Sequence, residues 1–322
     1  MKQAVIDLGT NTFQLLIAER SPDGTYHTIW RESRPAKLGK AGINQGLITD
    51  EAVGRALDVL TYFRQQLDTH GVAAEQTLAI GTSAVRVARN QAAFIERVRQ
   101  VTGIRVQVIS GDEEAGYIYD GIRAAGALDE QPALIIDIGG GSVEFIIGTV
   151  SRIFWKQSFE IGGQRLMERF MPDPAQAISP AAVGRLHDYL QQQLLPLANA
   201  MHQYAPTAGS SMRLVGSSGS FDTLVDMQYQ HERGQWPDRS RTAFDLPLAE
   251  FYRSYNLLIT RNHAERLQLP GMIELRVDMI VVAVCLIDYV LKAFGISLIR
   301  VSSYSLKEGV LSRLEAANGR VG

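Results

Sequence analysis

Val5-Ile6-Asp7-Leu8-Gly9-Thr10-Asn11-Thr12-Phe13-Gln14-Leu15-Leu16-Ile17 decides the fold, because the chain writes it a second time. The second copy is Ile135-Ile136-Asp137-Ile138-Gly139-Gly140-Gly141-Ser142-Val143-Glu144-Phe145-Ile146-Ile147. At one constant offset Asp7 matches Asp137, Gly9 matches Gly139, Thr12 matches Ser142 and Gln14 matches Glu144, with the apolar positions in step. Each copy reads as a buried strand, an acid at its end, a tight turn and a returning strand. A third, aromatic-bearing strand follows each, Tyr26 to Trp30 and Ile153 to Phe159. Either copy alone could be a glycine-turned hairpin without a ligand. Two copies that share the acid, glycine, hydroxyl and apolar register point to a duplicated ligand-binding hairpin. Glycine permits positive φ and close backbone approach in such a turn. The turn amides can then face a phosphate oxygen, and the strand-end Asp can hold a cation or its water.

Outward from these hairpins the chain alternates strands and helices. Helices are expected over 49–69 (Thr49 as cap, Gly71 after the end), 91–102, 112–125, 163–171, 180–203, 247–260 and 273–294, with a last one from about 305. Strands are expected at Leu78-Ala79-Ile80, Val106 to Ile109, Arg213 to Val215 and Leu298 to Val301. His231 to Arg241 is polar, carries Gly and Pro, and reads as a surface loop. The domain junction falls near Gly126 to Gln131.

The chain has 322 residues, enough for two domains of roughly 150 each. A net charge of -2 gives no global basic field, so bulk nucleic-acid binding is not expected, and an anionic substrate needs a local basic site. The single cysteine, Cys285, sits in an apolar run and reads as a core residue rather than a disulfide or metal ligand. The six histidines show no metal-ligand spacing, so no zinc site is assigned. The N-terminus enters a strand without signal-peptide character, and no apolar run is long enough for a bilayer. A cytoplasmic protein without a membrane partner is expected.

Three further segments could carry chemistry. Gly81-Thr82-Ser83-Ala84-Val85-Arg86 turns from a strand into a helix start that favours an anion. Arg86 and Arg89 could fork onto phosphate oxygens there, or be a solvated pair. Ile109-Ser110-Gly111-Asp112-Glu113-Glu114-Ala115 opens a helix with three acids. They serve either as dipole and capping stabilisation, or supply one carboxylate that orients a water against phosphorus. Gly216-Ser217-Ser218-Gly219-Ser220 follows a strand and precedes a helix, and by itself is a weak candidate for a phosphate cradle.

These residues together resemble the exopolyphosphatase and guanosine pentaphosphate phosphohydrolase family, within the actin, sugar-kinase and heat-shock ATPase superfamily. The likeness covers nearly the whole chain. It rests on the two hairpins, Ala84-Val85-Arg86, Ile109 to Ala115, and Ser303-Tyr304-Ser305-Leu306-Lys307-Glu308-Gly309. It implies an α/β fold of two ribonuclease H-like domains, each with a mixed five-stranded sheet, and a cleft between them. The domains would be actin-like ATPase-type units over 1–126, with 305–322 returning to it, and over 127–304. It implies Mg²⁺-dependent release of terminal orthophosphate from inorganic polyphosphate, or of the 5′ γ-phosphate from guanosine pentaphosphate.

Residue by residue, the resemblance makes Glu114 the water-activating carboxylate and Arg86 the substrate-phosphate arginine. It places Asp137 and Glu144 at the metal and active site, and the strand-end acid of the first copy, Asp7, is read as a further metal ligand. Gly9, Thr10, Asn11 and Thr12 would bind phosphate, as would Gly139, Gly140, Gly141 and Ser142, and Gly216, Ser217 and Ser218. Longer members carry a C-terminal phosphohydrolase-like domain, which this chain is expected to lack. Family members usually carry Gly-Gly-Thr in the loop that here reads Gly216 to Ser220, and an acid and a glycine where Ser303-Tyr304-Ser305 stands. The altered loop motivates an alternative of another class, a weakly catalytic polyphosphate or alarmone sensor. Oligomeric state is left open, with a homodimer among the outcomes.

Overall fold

Strand β1 (Lys2–Leu8) turns at Gly9 into β2 (Thr12–Arg20), and β2 returns as β3 (Tyr26–Pro35). Alternation sorts their side chains by face. Ala4, Ile6, Leu8, Phe13, Leu15 and Ile17 join one apolar cluster, while Asp7 and Gln14, cross-strand partners in the β1–β2 register, share the other face. Helix α1 (Asp50–Thr69) is capped by the Thr49 side chain, which accepts the Ala52 amide, and buries Ala52, Ala56, Leu60, Phe63 and Leu67 against that cluster. Then come β4 (Thr77–Gly81), α2 (Ser83–Arg86), α3 (Gln91–Thr102), β5 (Val106–Val108) and α4 (Gly111–Ala124). The sheet order is β3-β2-β1-β4-β5, with β1, β4 and β5 parallel.

The second sheet repeats this plan. β6 (Ala133–Ile138), β7 (Val143–Gly148) and β8 (Ile153–Phe159) form the antiparallel meander. Helices α5 (Gly163–Phe170), α6 (Pro180–Gln193) and α7 (Leu195–Tyr204) precede β9 (Arg213–Ser217) and α8 (Gly219–Arg233). β10 (Ala243–Leu246), α9 (Leu248–Thr260), α10 (His263–Leu267), α11 (Met279–Phe294) and β11 (Leu298–Ser302) follow. The order is β10-β11-β9-β6-β7-β8, so β6, β9 and β11 occupy the places of β1, β4 and β5. This sheet has six strands where five were expected. The extra strand, β10, lies antiparallel on the edge of β11 and buries Phe244 and Leu246. Four residues next to a polar loop carry too short a pattern to announce a strand.

The structure, a computed structural model, describes residues 2–204 and 212–319. The last helix, α12 (Leu306–Gly319), lies against β1, and the final three residues of the 305–322 segment fall outside the described residues. The chain divides into two compact units, Met1–Gly121 with Leu306–Gly322, and Ile122–Ser305. The expected helix over 180–203 is broken at Leu194, because Pro196 has no amide to donate and its ring crowds the preceding turn. The helix expected from 273 starts at Met279, and 274–278 are turn. Among the described residues no helix is long and apolar enough to cross a membrane.

Candidate active site

In both units the chemistry-bearing segments follow the carboxyl ends of parallel strands, where open α/β sheets place their ligands. In the first unit β4 and β5 are neighbours, so the segments after them meet. Arg86 closes α2 and Glu114 stands in the first turn of α4. Arg86 Nη1 donates to Glu114 Oε2 at 2.7 Å, with side chains 17% and 9% exposed. The neighbouring acids are used differently. Glu113 Oε2 accepts both the Ser110 amide and the Ser110 hydroxyl at 2.8 Å, and Ser110 Oγ accepts the Glu113 amide: a reciprocal cap. Asp112 and Glu113 are exposed, whereas Glu114 is buried. Arg89 does not join Arg86. Its Nη2 donates to the Gln45 carbonyl at 2.9 Å and its amide to Gly46, because the short α2 ends before a full turn can align the two guanidinium groups.

The first hairpin turn is held from behind. Ala36 and Lys37 donate their amides to the Asn11 carbonyl, and Gly39 donates to Thr10. Thr10 and Thr12 are buried, Gly9 and Asn11 half-buried. Asp7 faces Gln14 across the strand pair.

The second hairpin has the same support in fuller form. Amides of Gly162, Gly163 and Gln164 donate to the carbonyls of Gly141, Gly139 and Gly140 at 3.1, 2.9 and 2.8 Å. Arg165 Nε adds a bond to the Gly141 carbonyl at 2.8 Å, and the Ser218 hydroxyl takes the Ile138 carbonyl at 2.9 Å. With the carbonyls tied down on one side, the amides of Gly140 and Gly141 meet no acceptor among the described residues. Two neighbouring amides without an acceptor are donors that an anion could use.

Asp137 and Glu144 are register partners on β6 and β7, both buried. Asp137 Oδ2 accepts hydroxyls from Ser217 and Ser305, each at 2.5 Å, and Glu144 Oε1 accepts the Ser158 hydroxyl at 2.6 Å. Among the described residues no group of three or more His, Cys, Asp and Glu side chains is placed to hold a metal. The donors present are carboxylate and hydroxyl oxygens. They fit a hard divalent ion that keeps several waters and takes one or two carboxylates besides substrate phosphates.

β9 ends at Ser217, buried beside Asp137. Ser218 follows with φ 73 and ψ 175, a conformation that belongs to glycine. It caps the 15-residue helix α8. Sequence reasoning missed Arg276. A Cβ on Gly219 would stand 2.0 Å from Arg276 Nη2, so this glycine lets the guanidinium lie directly on the start of α8. Burial lowers the Arg276 pKa, opposed by the charges of Asp222 and Asp137. No ion pair or side-chain hydrogen bond engages its guanidinium among the described residues. Nothing in the sequence around Arg276 could have signalled this contact, which joins a turn before α11 to the first residue of α8.

The loops, the duplicated sheet and the paired carboxylates define a class: a two-unit α/β protein with glycine- and serine-rich turns at its strand ends. The chain belongs to the Ppx/GppA phosphatase family, whose profile matches residues 16–317. It is 44% identical to an exopolyphosphatase from Cytophaga hutchinsonii, whose crystal structure superposes with a TM-score of 0.92 over 98% of both chains. The Aquifex aeolicus member, at 24% identity and a TM-score of 0.77 over 99% of this chain and 98% of its own, shares the fold. A guanosine-5′-triphosphate,3′-diphosphate pyrophosphatase from Vibrio vulnificus is 29% identical over 84% of this chain and 50% of its own length. A bifunctional 3-dehydroquinate synthase/phosphatase from Fusobacterium nucleatum is 26% identical over 93% of this chain and 44% of its own. The chain thus spans about half the length of these curated relatives or less.

Proposed function

We propose that this chain is a cytoplasmic exopolyphosphatase that releases terminal orthophosphate from inorganic polyphosphate with Mg²⁺. The observation that carries the reading is the Gly139 to Ser142 loop, with its carbonyls held from behind and amides of Gly140 and Gly141 left for an anion. The likeness to the Cytophaga hutchinsonii enzyme over the whole chain supplies the substrate class.

In the first unit, Glu114 orients the attacking water and accepts its proton. Arg86 neutralises the phosphoryl oxygens. Its bond to Glu114 keeps the carboxylate aimed until a phosphate shares the guanidinium. The Gly9 to Thr12 turn adds backbone donors. In the second unit, the Gly139 to Ser142 and Gly216 to Ser218 turns hold phosphate, with Arg276 as a further cation at the second of them. Asp137 and Glu144 would hold Mg²⁺, which when bound neutralises charge on the phosphate oxygens. The Ser217, Ser305 and Ser158 hydroxyls keep both carboxylates turned to their face of the sheet.

Incubation of folded protein with polyphosphate and Mg²⁺ should release orthophosphate. The Vibrio vulnificus relative favours guanosine pentaphosphate as the second reading, so the same assay is run on that substrate. Release from neither refutes the hydrolase. Tight binding of either without turnover makes the chain a sensor.

A further inference from the structure

The two hairpins are duplicates in register, yet the position occupied by Glu144 in the second is Gln14 in the first. The partner of this residue changes with it. Glu144 accepts a hydroxyl, from Ser158, whereas Gln14 Oε1 accepts the ammonium of Lys307. Lys307 lies in the first turn of α12 and is only 7% exposed. Its one bonded partner is this neutral amide, and no ion pair engages it among the described residues. The adjacent Glu308 does not supply the counter-charge, because it is bonded to Arg31 at 2.9 Å. Asp7 is the register neighbour of Gln14, and Lys307 itself takes part in no ion pair among the described residues.

Buried charges are normally paired, since leaving water without a counter-charge is costly. The face that Lys307 reaches is shared by Asp7, Thr12 and Gln14, which alternate with the core residues of the hairpin. Thr12 ends the first turn, and the start of α12 adds the positive end of a helix to the same ammonium. Positive charge from two sources, beside a turn of small residues, selects an anion.

We propose that Lys307 is a phosphate-binding residue of the first hairpin, taking a phosphate group of a phosphoanhydride chain as its missing counter-charge. The duplicated hairpins have therefore diverged. The second keeps two acids for a cation, and the first replaces one acid by an amide and recruits a lysine from the far end of the sequence. The inference rests on the phosphohydrolase reading for its ligand class.

Tripolyphosphate in EDTA serves as the probe, since binding then reads without turnover. Lys307→Met should raise its dissociation constant about 10–100-fold, the loss expected for one charge-assisted bond. In the Mg²⁺ assay KM for polyphosphate should rise similarly while kcat stays within about threefold. The melting temperature without ligand should hold or rise, because an uncompensated buried charge has gone. Lys307→Arg should recover most of the affinity. If Lys307→Met binds and turns over as the parent does, the proposal fails. It also fails if the variant is destabilised and Asp7→Asn restores it, which makes Lys307 the structural counter-charge of Asp7. If Lys307→Met does not fold, Lys307→Gln gives the same comparison. A parent that binds tripolyphosphate through Lys307 but hydrolyses nothing overturns the hydrolase reading and leaves this inference standing.

Discussion

Glu114→Gln removes one negative charge while keeping the size of the side chain and an oxygen for Arg86. The pair it disturbs is short, 2.7 Å, and largely shielded, with side chains 17% and 9% exposed. Removing one partner of a buried pair costs about 3–5 kcal/mol. The amide oxygen keeps a hydrogen bond to a charged donor, worth about 1.5–3 kcal/mol, so the net cost in stability is about 2 kcal/mol. Turnover should fall about 10²–10⁴-fold, the usual effect of losing a positioned base. Substrate binding should tighten, because the Arg86 guanidinium is left without its carboxylate and a polyanion no longer meets a like charge. Orthophosphate release, calorimetric titration with tripolyphosphate and urea unfolding measure the three effects. The control is Glu113→Gln, whose carboxylate serves the Ser110 cap. It should lose about 0.5–2 kcal/mol of stability and keep its turnover. A dead Glu113→Gln beside an active Glu114→Gln would falsify the assignment of the acid. Full activity in both sends the search to Asp137 and Glu144.

Three further outcomes follow from local geometry. Gly309→Ala would place a Cβ 1.7 Å from the Tyr117 carbonyl oxygen, where α12 crosses α4, so unfolding by urea should show a loss of several kcal/mol, at or above ~3. Ser218→Gly relieves about 1–3 kcal/mol of backbone strain and gives up one hydrogen bond of about 0.5–1.5 kcal/mol to Ile138. The variant should be as stable as the parent or up to about 2 kcal/mol more stable, and a clear loss would contradict the strain. Burial raises the Asp226 carboxyl above its ordinary value, against the opposing pull of Arg239. A raised carboxyl pKa contributes stability that is full below the unfolded value and lost as pH rises through the folded one. Melting temperatures of parent and Asp226→Asn between about pH 3 and 6 should therefore show the parent losing ground to the variant as pH rises.

The duplicated hairpin was legible in the sequence because strands and tight turns are written in neighbouring residues. A period of two, an acid at the strand end and a glycine after it need no knowledge of the rest of the chain. The order of elements, and with it the α/β class, follows from the same local marks: Thr49 before α1, Gly103 after α3, Gly295 after α11. The limits of that reading are equally local. β10 was missed because four residues carry too little pattern, and α6 and α7 were joined because their apolar spacing runs on past Pro196.

What only the tertiary structure decided is which distant groups meet. Pairing of β4 with β5 brings Arg86 onto Glu114 and leaves Glu113 to its cap, a choice between adjacent acids that composition cannot make. Closing the second sheet sets Ser217 and Ser305 on one oxygen of Asp137 and lays Arg276 on Gly219. The return of α12 to β1 sets Lys307 against Gln14. Each of these contacts joins residues far apart in the chain, and their approach depends on sheet register and helix packing summed over a whole unit. Short-range propensity acts over three or four residues and carries no record of it.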